Sequence, residues 1–130
     1  MKANTDYSLG PLNSTLNLYK ETRTLLRKHQ ISPRKRFGQN FAVDGALLHA
    51  MIAYAELNRN DVTLEIGAGL GFLTNLLHLK CKRVIAVEVD PKLIPILREQ
   101  LNDLPNAELI EGDALTTDIP PFDKVVSTPP

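Results

Sequence analysis

Three glycines occur within five residues, at Gly67, Gly69 and Gly71, directly after a short apolar run. Their relative positions one, three and five differ from the one, three and six of the dinucleotide fingerprint, so the spacing argues against NAD. Because glycine has no Cβ, this turn allows a ligand to come very close to the backbone. Free amides at the start of a following helix would favour an anionic group on that ligand, such as a carboxylate.

Two acids can complete a site around this turn. Glu88 lies near the end of one β-branched run, and Asp113 follows the next run along the chain. In a doubly wound parallel sheet the carboxyl ends of these strands meet beside the glycine turn. Glu88 can then accept hydrogen bonds from both hydroxyls of a ribose, and Asp113 can accept one from an exocyclic amine such as N6 of adenine. The three features describe a pocket for an adenosine with a short charged chain, and S-adenosylmethionine fits that description.

Each feature also has a plainer interpretation. A glycine-rich turn alone is weak evidence for a ligand, Glu88 alone is more often a surface acid, and Asp113 alone is more often a turn former. Their joint placement at three successive strand ends favours a cofactor site. No metal site is expected, because the three histidines (His29, His49 and His78) lack ligand spacing.

The elements that position these residues follow from the pattern after residue 61. Short β-branched runs alternate with helical spacing, which favours βαβ units on a parallel sheet in the spatial order 3-2-1-4. Asp90 and Pro91 form a helix start signal, and Pro95 should loosen the beginning of that helix. The predicted strands are 62–66, 83–89, 107–111 and 123–127, and the predicted helices between them are 72–80 and 92–101.

Two further helices are predicted before residue 61. The first ends near His29 and has a basic outer face; its apolar stripe consists of Leu16, Tyr19, Leu25 and Leu26. Residues 31–41 read as a loop, and Asp44 can cap the second helix. That helix has apolar positions at Leu47, Leu48, Met51, Ile52 and Ala55.

Composition and charge indicate the class of protein and the kind of partner. Fifteen Lys and Arg balance fifteen Asp and Glu, yet residues 1–40 contain eight bases and two acids, a net charge of +6 that leaves −6 for the rest. Such asymmetry suggests a basic arm for an anionic partner. The single Cys81 and the polar start of the chain favour a reducing, cytoplasmic setting. No apolar run approaches the ~20 residues of a membrane span, which argues against a membrane protein.

Four blocks together resemble the ribosomal RNA adenine dimethyltransferase family: RKRFGQNF at 34–41, LEIGAGLGFLT at 64–74, VIAVEVD at 84–90 and EGDAL at 111–115. The resemblance implies a Rossmann-like class I S-adenosylmethionine-dependent methyltransferase fold and N6-dimethylation of adenine in small-subunit ribosomal RNA during ribosome biogenesis. It also implies that Asn40, Ala42 and Gly67 border the methionine end of the cofactor, that Glu88 holds the ribose, and that Asp113 with Ala114 holds the adenine. The family usually has Leu where this chain has Ala42.

The last motif departs from the family. After its fourth strand the family has Asn, an apolar residue, Pro and an aromatic, whereas here Thr128 takes the Asn position and Pro130 is the final residue. Thr128 and Pro130 are therefore the candidate catalytic positions, and Thr128 also a cofactor neighbour. The expected organisation is a basic helical extension over 1–33 and an incomplete methyltransferase domain over 34–130. Because the motif departs and only about four strands are predicted, the chain alone is expected to be inactive.

Arg34, Lys35 and Arg36 are the predicted RNA-binding residues, with small-subunit ribosomal RNA or the immature small subunit as the partner. Two alternatives stay open. One is a non-catalytic RNA-binding assembly factor that keeps the fold, suggested by Thr128. The other is a methyltransferase of the same fold that acts on DNA or a small molecule, against which the basic arm and the GQNF block argue.

Overall fold

The computed structural model describes residues 11–32 and 44–128, with the backbone alone for residues 11–17. After the first two helices, strands and helices alternate up to the third strand, as the sequence pattern predicts, and a fourth strand follows without a helix between. In chain order the elements are α1 (Pro11–Lys28), α2 (Gly45–Ala55), β1 (Val62–Ile66), α3 (Phe72–Leu77), β2 (Arg83–Glu88), α4 (Ile94–Leu101), β3 (Ala107–Glu111) and β4 (Lys124–Val125).

The strands form one parallel sheet in the order β3-β2-β1-β4. β1 lies alongside β2 with Val62 opposite Arg83, and β2 lies alongside β3 with Glu88 opposite Glu111. The short β4 pairs with β1 on the other side. This confirms the predicted α/β class, the parallel arrangement and the strand order. All four strands therefore end at the same edge of the sheet, which is where the candidate site lies.

The side chains of the central strand β2 alternate between the two faces of the sheet, and both faces are buried. Val84 belongs to an apolar cluster that includes side chains from all four helices, among them Leu48 and Leu73. Ile85 and Val87 point to the opposite face, where Leu64, Ile110, Ala114 and Ile119 surround them. A helical layer thus covers one face, while the segment that follows β3 contributes to the cover of the other.

Helix α4 begins later than predicted. Asp90 and Pro91 belong to a turn in which Asp90 Oδ1 accepts a hydrogen bond from the Lys92 N–H at 3.0 Å, and the helix starts at Ile94. A start at Lys92 would leave Pro95 where an N–H must bond the preceding turn. Starting at Ile94 places Pro95 in the first turn, where the missing N–H costs nothing.

The inward stripe of helix α1 includes the predicted Leu25 and Leu26 but not Tyr19. Leu18 is 1% exposed whereas Tyr19 is 51% exposed, so the prediction that Tyr19 lies on the buried stripe is wrong. The buried Thr22, one turn after Leu18, continues the stripe toward Leu25. Because Thr22 is polar, a search for hydrophobic residues at helical spacing does not identify it as part of the buried stripe.

Helix α1 packs onto the rest of the fold. Leu18 belongs to the same apolar cluster as Leu48 of α2, and the last turn of α1 is joined to α4 by the Lys28 Nζ to Glu99 Oε2 ion pair of 3.0 Å. The predicted boundary between residues 33 and 34 lies outside the described residues and stays a prediction. None of the described helices has the length and apolar character needed to cross a membrane.

Candidate functional site

The glycine turn between β1 and α3 lies against the end of β2. Gly67, Gly69 and Gly71 have φ angles of +78°, +61° and +86°, a region that only glycine adopts at little cost. The N–H groups of Gly67 and Ala68 both donate to the Val87 carbonyl, at 2.8 and 3.1 Å. The backbone of β2 therefore fixes where the turn begins.

The glycines differ in what a side chain would meet. A Cβ at Gly67 would have no atom within 4 Å, so open space lies beside this residue. A Cβ at Gly71 would lie 3.3 Å from Leu97 Cδ2 and 3.4 Å from Gln100 Cβ, both on α4. Gly67 therefore leaves room for a ligand, whereas Gly71 has a packing reason for lacking a Cβ. The assignment of Gly71 to the cofactor site stays a prediction.

Glu88 organises the three strand ends. Its side chain is 5% exposed; Oε1 accepts from the Gly69 N–H at 2.8 Å and Oε2 from the Asp90 N–H at 3.0 Å. The Glu88 carbonyl accepts from the Gly112 N–H at 2.9 Å. One residue thus joins the turns that follow β1, β2 and β3. A carboxylate oxygen has two acceptor positions, so each oxygen keeps one for a ligand hydroxyl.

Asp113 forms a turn and keeps one oxygen available. Oδ1 accepts from the Leu115 N–H at 2.9 Å, and the Asp113 carbonyl accepts from the N–H groups of Thr116 and Thr117. Oδ2 accepts no hydrogen bond from any described residue. The plainer interpretation of Asp113 as a turn former thus holds for one oxygen, and the adenine contact of the other stays a prediction. Ala114, the other predicted adenine neighbour, is half-buried in the same turn.

Gly112, just before Asp113, is required by the turn itself. A Cβ there would lie 2.3 Å from Thr117 Oγ1, which is closer than real contacts allow. The turn that presents Asp113 therefore depends on this glycine.

A buried hydrogen bond that the sequence pattern missed spans the glycine turn. Thr74 Oγ1 on α3 donates to Glu65 Oε1 on β1. Both side chains are essentially fully buried, at 0% and 1% exposure. Glu65 precedes Gly67 by two residues and Thr74 follows Gly71 by three, so the bond ties the two elements that flank the turn. The signal was present in the sequence as a charged residue inside the apolar strand VTLEI.

Burial controls the protonation of this site. Desolvation raises the pKa of Glu65 from 4.5 to about 8, the Thr74 hydrogen bond opposes that rise, and the nearby charge of Glu88 adds to it. Glu65 therefore holds its proton at neutral pH. The site can contain two adjacent acids because one of them is neutral.

The fourth strand is anchored at the far side of the sheet. Lys124 Nζ donates to the Ala55 and Glu56 carbonyls at 3.1 and 2.6 Å and lies 3.2 Å from Asp61 Oδ2. A backbone hydrogen bond from Asn58 and the Lys124 ammonium together hold the pKa of Asp61 below its usual range. Lys124 thus caps the carboxyl end of α2 and fixes β4 against it.

Thr128 is half-buried and follows β4 at the edge of the sheet where the glycine turn begins, because β4 runs parallel to β1. The Val126 N–H donates to the Leu64 carbonyl at 2.9 Å, which continues the pairing beyond the strand. Among the described residues, no hydrogen bond joins Thr128 to the glycine turn, and its catalytic role stays a prediction.

The other predicted site residues (Arg34, Lys35, Arg36, Asn40, Ala42 and Pro130) lie outside the described residues. Within 11–32 and 44–128, no group of three His, Cys, Asp or Glu side chains is arranged to hold a metal ion. Cys81 is buried and bonds the Leu77 carbonyl at 3.3 Å, a structural role.

A family model and the curated relatives agree on one family. The family model described as "Ribosomal RNA adenine dimethylase" matches residues 30–128. A relative from Methanosarcina barkeri, named "Probable ribosomal RNA small subunit methyltransferase A", is 47% identical over 108 residues, which is 83% of this chain and 37% of the relative.

Two solved structures show the same fold. The 23S rRNA methyltransferase ErmE is 37% identical with a TM-score of 0.63, over 69% of this chain and 38% of that one. A dimethyladenosine transferase from Plasmodium falciparum is 33% identical with a TM-score of 0.61, over 65% of this chain and 32% of that one. The chain spans about two fifths of the length of the curated relatives that it matches.

Proposed function

Since this chain belongs to the ribosomal RNA adenine dimethylase family, we propose that it forms the S-adenosylmethionine-binding part of an enzyme that dimethylates N6 of adenine in small-subunit ribosomal RNA. The immature small subunit is the proposed partner and the cytoplasm the proposed location. The sulfonium methyl of the bound cofactor is the group that the reaction would transfer.

The observation that supports this proposal best is the arrangement around Glu88. Its carboxylate fixes the Gly69 and Asp90 amides and still has acceptor positions for two ribose hydroxyls. Gly67 leaves open space for the methionine end, and Asp113 Oδ2 can accept the adenine amino group. These acceptors suit the hydroxyl and amino groups of a neutral nucleoside, whereas a diphosphate would need donors.

The target adenine needs activation, because its N6 lone pair is delocalised into the ring. An oxygen that accepts an N6 hydrogen concentrates the lone pair on nitrogen and orients it toward the methyl group. The Thr128 hydroxyl can accept one such hydrogen, but it is shorter than an asparagine amide and aimed differently. We therefore expect transfer by these 130 residues alone to be weak.

The test is incubation of the chain with radiolabelled S-adenosylmethionine and immature small subunits. We expect cofactor binding that depends on Glu88, with little incorporation of label into RNA. Absence of cofactor binding would contradict the proposal, and robust turnover would contradict the expected weakness of transfer.

Thr128 favours one second candidate, a non-catalytic RNA-binding assembly factor that retains the fold. Thr128→Asn separates the two. Under the enzymatic proposal, restoring the amide raises labelling of RNA at least several-fold above the unsubstituted chain. RNA binding without any labelling, in both Thr128→Asn and a longer protein that includes this chain, would favour the assembly factor.

A further inference from the structure

We propose that the outward side of α1, formed by Lys20, Arg23 and Arg27 and here named the basic face, is a second RNA-binding surface that contacts phosphates. It is distinct in sequence from Arg34, Lys35 and Arg36, the predicted RNA-binding residues. The inference rests on the proposed function, because it requires an RNA substrate.

The basic face is built by helical spacing. Lys20, Arg23 and Arg27 are separated by three and four residues, which places them on one side of a helix. The opposite side of α1 carries the buried Leu18, which packs against α2 and the rest of the core. Because the helix is fixed from behind, its three exposed bases point together into solvent.

These three charges are not neutralised within the described part of the chain. Three other described bases are paired with acids: Lys28 with Glu99, Arg83 with Glu108, and Lys124 with Asp61. No carboxylate in the described ranges lies within ion-pair distance of a residue of the basic face. Exposed bases without partners keep their full charge for an anionic ligand.

An aromatic side chain holds one member of the face without cancelling its charge. The Arg23 guanidinium carbon lies 5.9 Å from the centre of the Tyr19 ring, a cation–π contact. A carboxylate partner would position the guanidinium equally well but would remove the net charge. Tyr19, which is half-exposed and lies off the buried stripe, therefore has a role in positioning Arg23.

The charge of the whole chain supports RNA as the ligand. Residues 41–130 carry a net charge of −6, so most of the folded part repels a polyanion. We therefore expect RNA to bind on the side of the molecule where the bases of α1 are exposed. The family match begins at residue 30, after α1 ends, so the basic face lies outside the region that defines the family.

The test is binding of the 130-residue chain to a fluorescein-labelled RNA hairpin, measured by anisotropy at several KCl concentrations. The variant replaces Lys20, Arg23 and Arg27 together by alanine. The matched control replaces Arg59, Lys80 and Lys82, three exposed bases in the turns that precede β1 and β2. Both variants remove three positive charges, so a difference between them reports position rather than net charge.

We expect the Lys20/Arg23/Arg27 variant to bind at least about tenfold more weakly at 100 mM salt, and its log K against log salt slope to fall by about two to three, since each phosphate contact contributes ~0.7–0.9. The Arg59/Lys80/Lys82 control should stay much closer to the parent. Equal losses in the two variants, or none in either, would overturn the inference, as would a parent that binds no RNA.

Two controls separate this inference from other causes. The melting temperature of each variant excludes unfolding, since Arg27 also lies in the last turn of α1, where a base stabilises the helix. S-adenosylhomocysteine affinity tests the proposed function separately. Its absence alongside intact, face-dependent RNA binding would contradict the cofactor proposal and leave the basic face supported.

Discussion

The carboxylate of Glu88 accepts a hydrogen bond from the backbone N–H of Gly69, 2.8 Å away and nineteen residues earlier in the chain. The bond crosses from β2 to the turn after β1, and the second carboxylate oxygen fixes the Asp90 amide. A residue expected to contact only a ligand therefore also shapes the pocket. Loss of the Glu88 charge should therefore weaken both ligand binding and the hydrogen bonds that shape the pocket.

Glu88→Gln is the first prediction. The amide nitrogen cannot accept a hydrogen bond, so one backbone N–H loses its partner and one ligand acceptor is lost. Hydrogen bonds to charged groups contribute about 1.5–3 kcal/mol, so S-adenosylhomocysteine affinity by calorimetry should fall about 10- to 100-fold. The melting temperature should fall as well.

Glu111→Gln is the matched control, because Glu111 pairs in register with Glu88 on β3 but is exposed. It should leave both quantities nearly unchanged. Equal effects of the two substitutions would show that general charge, and not the bonds of Glu88, determines the affinity.

Asp113→Asn tests whether one side chain serves both the turn and the ligand. The asparagine oxygen can still accept from the Leu115 N–H, so stability should change little. Its amide group replaces the free acceptor, so cofactor affinity should fall several-fold. Asp113→Ala should lose stability in addition. Unchanged affinity in Asp113→Asn would leave the residue with a turn role alone.

Glu65→Gln should stabilise the protein at neutral pH. The folded-state pKa of Glu65 is raised from 4.5 to about 8, so folding favours the protonated form. The stability of the parent should therefore fall as pH rises between about 4.5 and 8, by up to about 1.4 kcal/mol per pH unit, and then level off. Glutamine is neutral at every pH and can accept the same bond from Thr74.

Urea unfolding of both proteins from pH 4 to pH 9 measures this difference. It should grow in favour of Glu65→Gln up to about pH 8. A difference that is constant with pH would mean that Glu65 does not titrate in this range. The charge that adds to the raised pKa of Glu65 is that of Glu88, while Lys124 on the neighbouring β4 is engaged by Asp61.

Gly67→Ala and Gly71→Ala should show that Gly67 leaves space for the cofactor, whereas Gly71 is needed for packing against α4. Both residues have positive φ, so either alanine costs about 1–2 kcal/mol of backbone strain. Gly71→Ala should lose additional stability because its Cβ meets Leu97 and Gln100. Gly67→Ala should lose more cofactor affinity, because its Cβ enters the open space. The reverse ranking in thermal melts and calorimetry would contradict this division.

The sequence predicted the sheet well for a physical reason. β1 and β3 have the predicted bounds, and the order 3-2-1-4 is confirmed, because β-branched runs alternate regularly with helical spacing. The predicted start of α4 at Lys92 was two residues early, although the loosening by Pro95 was expected. Tyr19 was wrongly placed on the inward stripe of α1, because a hydrophobic pattern does not count the buried Thr22.

The sequence predicted which residues form the candidate site but not the hydrogen bonds that they make. Glu88 and Asp113 lie at strand ends as expected, yet their bonds to Gly69 and Leu115 depend on side-chain directions that spacing does not contain. The Glu65 to Thr74 bond was missed because it joins two elements across a turn. Such contacts follow from packing, which a single sequence does not specify.

The most direct test of the central claim is a titration of the ¹⁵N-labelled chain with S-adenosylhomocysteine, followed by amide chemical shifts. We expect saturable shifts concentrated at Gly67, Gly69, Glu88 and Asp113, with little change at the opposite edge of the sheet near Arg59 and Lys82. The same titration of Glu88→Gln should require about 10- to 100-fold more ligand. Saturable shifts confined to other residues, or none at millimolar ligand, would contradict the cofactor site.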